Sequence, residues 1–216
     1  MTPLPLVMAT ALILGGLHAF DPDHLAAVTA FIARRPAAGT AVGFAIRWGL
    51  GHSLTLAAAG IAASAFRLVV SAGLQTAAEL AVGVMLVGVG SWVLAGLRRG
   101  WDPSHHEAHH TPRPAVGSIF WVGALHGLAG SAGLLVIIPV GLMDSAWAVL
   151  AYILAFSGGV ISAMALYAMA IGGLFGKVAG GAGARWYPWL AGAAGSSALL
   201  LGLGWISFTL LSRAAS

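Results

Sequence analysis

Six long apolar stretches, separated by short polar segments, constrain this chain more strongly than any other feature. They cover residues 4–33, 40–65, 72–97, 115–139, 145–175 and 187–211. A helix needs about 20 mostly apolar residues to cross the hydrocarbon core of a bilayer, so each stretch is long enough for one membrane span. Only 7% of the 216 residues are charged, against about 25% in an ordinary soluble domain. The sequence therefore predicts an all-α integral membrane protein with six transmembrane helices. It excludes a soluble enzyme and a nucleic-acid-binding module.

Lysine and arginine are distributed unequally between the segments that link the spans. Arg67 and Arg213 lie on one side, whereas the segments after spans one, three and five contain Arg34, Arg35, Arg98, Arg99, Arg113, Lys177 and Arg185. Because an excess of basic residues marks cytoplasmic loops, the odd-numbered loops are predicted to be cytoplasmic. This places both termini outside and predicts a multi-pass protein of the cytoplasmic (inner) membrane.

The two halves of the chain resemble each other weakly. The sequence Leu-His-Ala around His18 matches Leu-His-Gly around His126, at an offset of half the chain length, and residues 87–90 match residues 201–204 at a slightly larger offset. Matches this short also arise by chance between segments rich in Gly, Ala and Leu. Taken as a repeat, they predict two three-helix halves, residues 1–97 and 115–216, separated by a loop at 98–114. Three spans are an odd number, so the halves would be inverted, as in many transporters.

The first span contains an unusual polar motif in the middle of an apolar helix. His18, Asp21, Asp23 and His24 lie within seven residues, and ionisable groups at membrane depth are costly and usually functional. Pro22 has no N–H, and its ring clashes with the carbonyl four residues earlier, which belongs to His18. The helix is therefore expected to open between His18 and Pro22, and the freed carbonyl needs another partner. Such a break would bring His18, Asp23 and His24 together around an ion.

Two further histidines lie inside predicted spans, His52 in the second and His126 in the fourth. A single buried histidine often only forms a hydrogen bond to a neighbouring helix. Together with the first-span motif, however, these residues indicate a site with imidazole and carboxylate ligands. Such ligands suit nickel, cobalt, zinc or copper(II), and not calcium or magnesium, which prefer oxygen. Glu79 in span three is a further candidate ligand, with a position near the outer interface or pairing to Arg67 as the alternatives.

The loop after span three is rich in histidine. Residues 104–110 contain four of the eight histidines of the chain, at His105, His106, His109 and His110. Short histidine-rich tracts bind divalent metals, so this loop is predicted to collect or sense an ion on the cytoplasmic side. A solvated polar linker is the alternative interpretation.

The segment from His18 to His24 fits the pattern of His, four residues, then Asp-His, and resembles the signature of the nickel/cobalt transporter family. The sequence Gly-His-Ser at His52 is similar to that family's second motif. Residues 125–132 resemble a motif of its smaller relatives, the membrane permeases associated with urease maturation and nickel efflux. By position, the resemblance implies that the metal is handled by His18, Asp23, His24, His52 and His126. The classical family has eight spans and begins in the cytoplasm, so six spans favour the small permease branch.

The resemblance implies a secondary transporter that moves nickel, or cobalt, across the cytoplasmic membrane, with uptake as the expected direction. The chain is not expected to be an enzyme, and it contains no Walker A motif for ATP hydrolysis. Ni²⁺ or Co²⁺ would be the transported substrate, with no prosthetic group. The predicted partners are the ion and the lipid bilayer, and a cytoplasmic metallochaperone and a second copy of the chain are further candidates.

Two other classes of protein share some of these features. A membrane b-type haem protein uses paired histidines as iron ligands, although haem needs no neighbouring acids. An intramembrane zinc hydrolase would use Ser53 or a metal-bound water as nucleophile, although the sequence has no His-Glu-x-x-His motif.

Overall fold

The structure, a computed structural model, describes residues 4–34, 37–66, 71–100, 118–129, 132–143, 145–180 and 183–214. These residues form helices and contain no strand, which confirms the all-helical prediction. The α-helices are α1 (Leu4–His18), α2 (Pro22–Arg34), α3 (Ala38–Phe66), α4 (Ala72–Arg98), α5 (Ser118–Leu128), α6 (Ala132–Gly141), α7 (Ala146–Ala179) and α8 (Tyr187–Ala214). A short 3₁₀ turn at Ala184–Trp186 precedes α8.

Three helices of the described chain, α4, α7 and α8, are each long and apolar enough to cross a membrane. The pair α1 and α2 makes a fourth candidate if the two are counted as one bent span. The predicted second span is the single helix α3, whose middle carries Arg47 and His52. The predicted fourth span is divided into α5 and α6, and the 11 residues of α5 extend for only about 16 Å. A membrane protein is therefore supported, whereas six spans remain a prediction.

The helices pack in two groups. The most extensive contacts join α4 to α8, α3 to α5, α1 to α7 and α3 to α7. Helices α1, α7, α3 and α5 therefore lie side by side as one group, which we call the central row. The second group consists of α4 and α8 together with α2, which contacts α8 more extensively than any other helix.

Two glycines allow α1 and α7 to cross with their backbones in contact. A Cβ atom added at Gly15 would overlap the carbonyl oxygen of Phe156, and one added at Gly159 would overlap the carbonyl oxygen of Leu12. Small residues at such crossings let membrane helices approach closely and gain van der Waals contact.

The crossing of α3 and α5 has the same construction. A Cβ atom at Gly51 would overlap the carbonyl oxygen of Phe120, and one at Gly123 would overlap the carbonyl oxygen of Trp48. Each of these four residues is separated from its counterpart at the α1–α7 crossing by half the chain length. The offset seen in the sequence at His18 and His126 therefore recurs in the contacts between helices.

Helices α4 and α8 also cross through reciprocal glycine contacts. A Cβ atom at Gly90 would lie 2.6 Å from the carbonyl oxygen of Gly195, and one at Gly202 would lie 2.6 Å from that of Gly83. In these contacts Gly90 corresponds to Gly202, whereas the match between residues 87–90 and 201–204 pairs it with Gly204. The helix contacts thus pair α4 with α8 two residues away from the pairing that the sequence match predicts.

We expect Gly123→Ala to destabilise the protein, because the added methyl group meets backbone atoms of Trp48 that cannot rotate away. The expected loss is about 1–3 kcal/mol of unfolding free energy, as for overpacked cores. Thermal unfolding in detergent would measure the loss. Gly88→Ala is the control, because a Cβ at Gly88 has no neighbour within 4 Å. A Gly123→Ala protein as stable as the control would contradict the crossing.

Candidate metal centre

The helix break predicted at Pro22 is present. Helix α1 ends at His18, α2 begins at Pro22, and the two helices are bent by 59°. Pro22 occupies the first position of α2, where its missing N–H costs nothing. The carbonyl oxygen of His18 accepts a hydrogen bond from the backbone N–H of Asp21 at 3.0 Å. It also accepts one from the Nδ1 atom of His24 at 3.2 Å.

Three predicted ligands meet at this break. His18 at the end of α1, His24 in α2 and His52 in α3 each offer one ring nitrogen, and these nitrogens lie within 4.8 Å of one another. All three residues are buried. The ring centroids of His18 and His24 are 4.7 Å apart, and each lies 5.2 Å from that of His52. Three residues on three different helices therefore form a group with the size of a metal site.

The other two predicted ligands border this group. An Oδ2 atom of Asp23 lies 3.9 Å from Nε2 of His24 and also 3.9 Å from Nε2 of His126. The rings of His24 and His126 are 5.1 Å apart. Both Asp23 and His126 are buried. All five residues therefore lie in one buried cluster, with His126 at its edge on α5. Their role as ligands remains a prediction.

Asp21 is a sixth acidic or imidazole group at the cluster, beside the five predicted metal ligands. Its Oδ2 atom accepts a hydrogen bond from Nδ1 of His18 at 3.0 Å, and 37% of its side chain is exposed. Asp21, Asp23 and His24 also offer ligand atoms within 4.8 Å of one another. A residue that precedes proline is driven out of helical geometry. That signal was available in the sequence and places Asp21 inside the break.

In three of the histidines, a hydrogen bond at Nδ1 determines which ring nitrogen is available to bind a metal. His18 contacts Asp21, His24 contacts the carbonyl of His18, and Nδ1 of His126 lies 2.8 Å from the carbonyl oxygen of Val122. Since these oxygens accept, each Nδ1 carries a proton, which in a neutral imidazole leaves the lone pair on Nε2. Metal-binding histidines are oriented in this way.

His52 differs from the other three histidines. It is fully buried, and neither ring nitrogen has a hydrogen-bond partner within the described segments. Burying an unsatisfied polar group costs about 1–3 kcal/mol. His52 is therefore the residue of the cluster whose burial most requires a ligand.

Aromatic rings close the cluster on two sides. Trp48 stacks on His52 with centroids 5.1 Å apart and planes at 17°, and it lies 4.8 Å from the ring of His24. Phe156 lies 5.7 Å from the ring of His18. These walls exclude water, and a dry environment strengthens the attraction between a cation and its ligands.

Two other predicted elements lie elsewhere. Glu79 is at the contact of α4 with α8, where its carboxylate accepts hydrogen bonds from Gln75 at 3.3 Å and Thr209 at 3.4 Å. Its alternative partner, Arg67, and the histidine-rich residues 104–110 fall outside the described residues. Ser53 is buried beside His52, and its hydroxyl has no hydrogen-bond partner in the part of the chain that the structure describes.

Comparison with known proteins identifies a relative. The chain is 30% identical over 175 residues to the urease accessory protein UreH of Bacillus sp. (strain TB-90), a match that covers 77% of this chain and 76% of the relative. The chain therefore belongs to the family of this urease accessory protein, which supports the nickel/cobalt permease type expected from its motifs. Neither a protein-family model nor a solved structure matches the chain. The relative is named as an accessory protein and not as a catalyst.

We expect His52→Leu to raise the melting temperature of the metal-free protein, because leucine removes two buried nitrogens that lack partners. The same change should abolish the stabilisation by added nickel, which is about 2.7 kcal/mol at a concentration 100 times the dissociation constant. Melting temperatures with and without NiCl₂ would measure both effects.

Ser53→Ala is the matched control for His52→Leu. It removes another buried polar group without a partner on the same helix, but it leaves every nitrogen of the cluster in place. It should retain the full nickel-dependent shift. A His52→Leu protein that nickel stabilises as strongly as Ser53→Ala would contradict a ligand role for His52.

Proposed function

We propose that this protein is a secondary transporter that moves nickel across the cytoplasmic membrane, with cobalt as the second candidate ion and uptake as the direction. The observation that carries the proposal is the buried cluster at the break between α1 and α2, where four imidazoles and one carboxylate converge. Apart from the buried aromatic residues Trp48, Tyr152 and Tyr187, the other polar side chains buried among the described residues are the hydroxyls of Ser53, Ser157 and Thr209.

The chemistry of the cluster supports a divalent transition metal. Imidazole nitrogens with one or two carboxylates suit nickel and cobalt, whereas magnesium and calcium prefer oxygen ligands. The orientation of the rings is also suited to metal binding, because His18, His24 and His126 direct their Nδ1 protons to oxygen acceptors. The relative named for a role accessory to urease is consistent with nickel as the cargo.

The contacts support two inverted halves, residues 1–97 and 115–216, as the mechanical basis of transport. The glycine crossings of α1 with α7 and of α5 with α3 correspond at an offset of half the chain length. The ring contacts follow the same rule, since His18 lies 5.7 Å from Phe156 and His126 lies 5.6 Å from Trp48. Inverted halves of a transporter hold the substrate at their interface and expose it alternately to each side.

In this mechanism the ion exchanges its water molecules for protein ligands in stages. Asp21 is half-exposed and adjoins the cluster through His18, so it is placed to meet the hydrated ion first. Asp23 and His24 then share the ion with His52, and His126 joins from α5. Movement of one half against the other would separate ligands that belong to different helices and release the ion.

Orientation, partners and the histidine-rich loop complete the proposal. We place both termini outside and residues 98–114 in the cytoplasm, where four histidines would collect the ion as it enters the cytoplasm. Assignment to the small permease branch belongs to the same proposal. A cytoplasmic metallochaperone and a second copy of the chain remain candidate partners.

The two alternative functions fit the cluster less well. The rings of His18, His24 and His52 contact one another directly, which leaves no space for a porphyrin between two of them. A zinc hydrolase needs a nucleophile held by a base, but the hydroxyl of Ser53 forms no hydrogen bond to His52. The comparisons favour neither alternative.

The test is uptake of radioactive nickel by proteoliposomes that contain the purified protein. We expect His18→Ala and Asp23→Ala to reduce the flux at least about tenfold, since each loses a ligand and metal sites lose about 10–100-fold even through supporting residues. Gly88→Ala is the control, because a Cβ atom at position 88 has no neighbour within 4 Å. Motif variants that transport as fast as the parent would overturn the proposal. Inhibition of nickel uptake by added cobalt would test cobalt as the second transported ion.

A further inference from the structure

A second polar contact between helices lies close to the cluster and forms no part of it. The hydroxyl groups of Thr29 on α2 and Tyr167 on α7 are 2.6 Å apart, and both side chains are partly buried. Either oxygen is able to act as donor. The contact joins α2, which belongs to the group of α4 and α8, to a helix of the central row.

Helix α2 carries Asp23 and His24, whereas the other three histidines lie on helices of the central row. Its far end is held by the second group. The hydroxyl of Tyr187 on α8 donates to the carbonyl of Ala33, and the guanidinium of Arg34 lies 4.5 Å from the ring of Trp92 on α4. The metal cluster thus forms only where α2 meets the central row.

An open cleft of about 440 Å³, which we call the cavity, borders one flank of α2 next to α7 and α8. It is lined by Phe20 and Pro22 at the break, by Leu25, Ala26 and Thr29 along α2, by Tyr167 of α7 and by residues of α8. A flank that borders a cavity lacks the close packing that would otherwise hold a helix in place. The Thr29–Tyr167 hydrogen bond borders this space and is positioned to hold α2 against α7.

We propose that Thr29 and Tyr167 are positioning residues, whose hydrogen bond holds α2 at the angle that brings Asp23 and His24 to the histidines of the central row. The break at residues 19–21 is the hinge, and the cavity is the space into which α2 moves. This inference rests on the proposed function, because it assigns a role in binding the transported ion.

The geometry of α2 couples the Thr29–Tyr167 contact to the position of His24. Thr29 lies eight residues beyond Asp21 and His24 lies three beyond it, which correspond to about 12 Å and 4.5 Å along the helix. If the hydrogen bond opens by about 3 Å, rotation about the hinge moves His24 by roughly 1 Å. Metal–ligand distances tolerate only about 0.2 Å. Opening of this contact therefore disrupts a site that includes His24.

The contact is also suited to open and close. When it leaves Tyr167, the hydroxyl of Thr29 has a local alternative, since threonine in a helix bonds the carbonyl four residues earlier. That carbonyl belongs to Leu25, within α2. The open state therefore leaves no unsatisfied hydroxyl at Thr29, which lowers the cost of opening on the side of α2.

The test compares nickel uptake and equilibrium nickel binding for a set of closely matched variants. Tyr167→Phe and Thr29→Val remove one hydroxyl each and preserve shape. We expect each to raise the KM of uptake and the dissociation constant by up to about tenfold, as for loss of one hydrogen bond. The maximal flux should not fall, because the ligands remain and release becomes easier. Thr29→Ser keeps the hydroxyl and should behave as the parent.

The double variant Thr29→Val/Tyr167→Phe should be no weaker than either single variant, because the two changes remove the same contact. A merely structural role would lower the maximal flux and leave KM unchanged. Unchanged affinity in both single variants, additive effects, or Thr29→Ser that behaves like Thr29→Val would each overturn the inference. If the parent binds nickel without transporting it, the proposed function fails, and the affinities still decide the role of this contact.

Discussion

The whole centre depends on one carbonyl group that has lost its ordinary partner. Pro22 cannot donate to the oxygen of His18, and inside a membrane a backbone carbonyl must find a donor within the protein. Here the backbone N–H of Asp21 and the side chain of His24 both serve as donors. The bond from the side chain places the proton of His24 on Nδ1 and turns Nε2 toward Asp23. The same irregularity bends the span and exposes Asp21, so one proline produces the hinge, the orientation of a ligand and the opening of the site.

A second proline inside a helix frees another backbone carbonyl, and there the new donor is a tyrosine instead of a histidine. Pro139 lies inside α6, and the carbonyl four residues earlier belongs to Leu135. Its oxygen accepts a hydrogen bond from the hydroxyl of Tyr152 at 2.9 Å. The backbone is satisfied equally well, but no metal ligand results.

The two halves also differ in the residues that stand at corresponding positions. Half a chain length after Asp23, His24 and His52, the sequence has Ser131, Ala132 and Val160, and only His126 corresponds to another predicted ligand, His18. If the halves are related, the chemistry lies mainly in the first half and the second supplies packing.

The sequence predicted those parts of the structure that depend on local backbone chemistry. Pro22 indicated the break because it removes a donor at a known distance, and buried histidines and Asp23 indicated the cluster because ions are costly in lipid. The break between α5 and α6 has no proline within it, so an apolar stretch there suggested one continuous span. The roles of Trp48 and of the Thr29–Tyr167 contact depend on helices that are distant in sequence. Apolar periodicity does not specify which residues of two such helices meet.

The distribution of the predicted ligands over several helices would allow the proposed site to bind an ion and still release it. His18, His52 and His126 belong to α1, α3 and α5 of the central row, whereas Asp23 and His24 belong to α2, which packs mainly on α8. A site built on one rigid group would hold its ion in every state of the protein. Here any change in the angle between α2 and the central row changes the number of ligands around the ion. Since His52 has no hydrogen-bond partner among the described residues, binding of the proposed ion would favour the closed arrangement, and loss of the ion would remove that advantage.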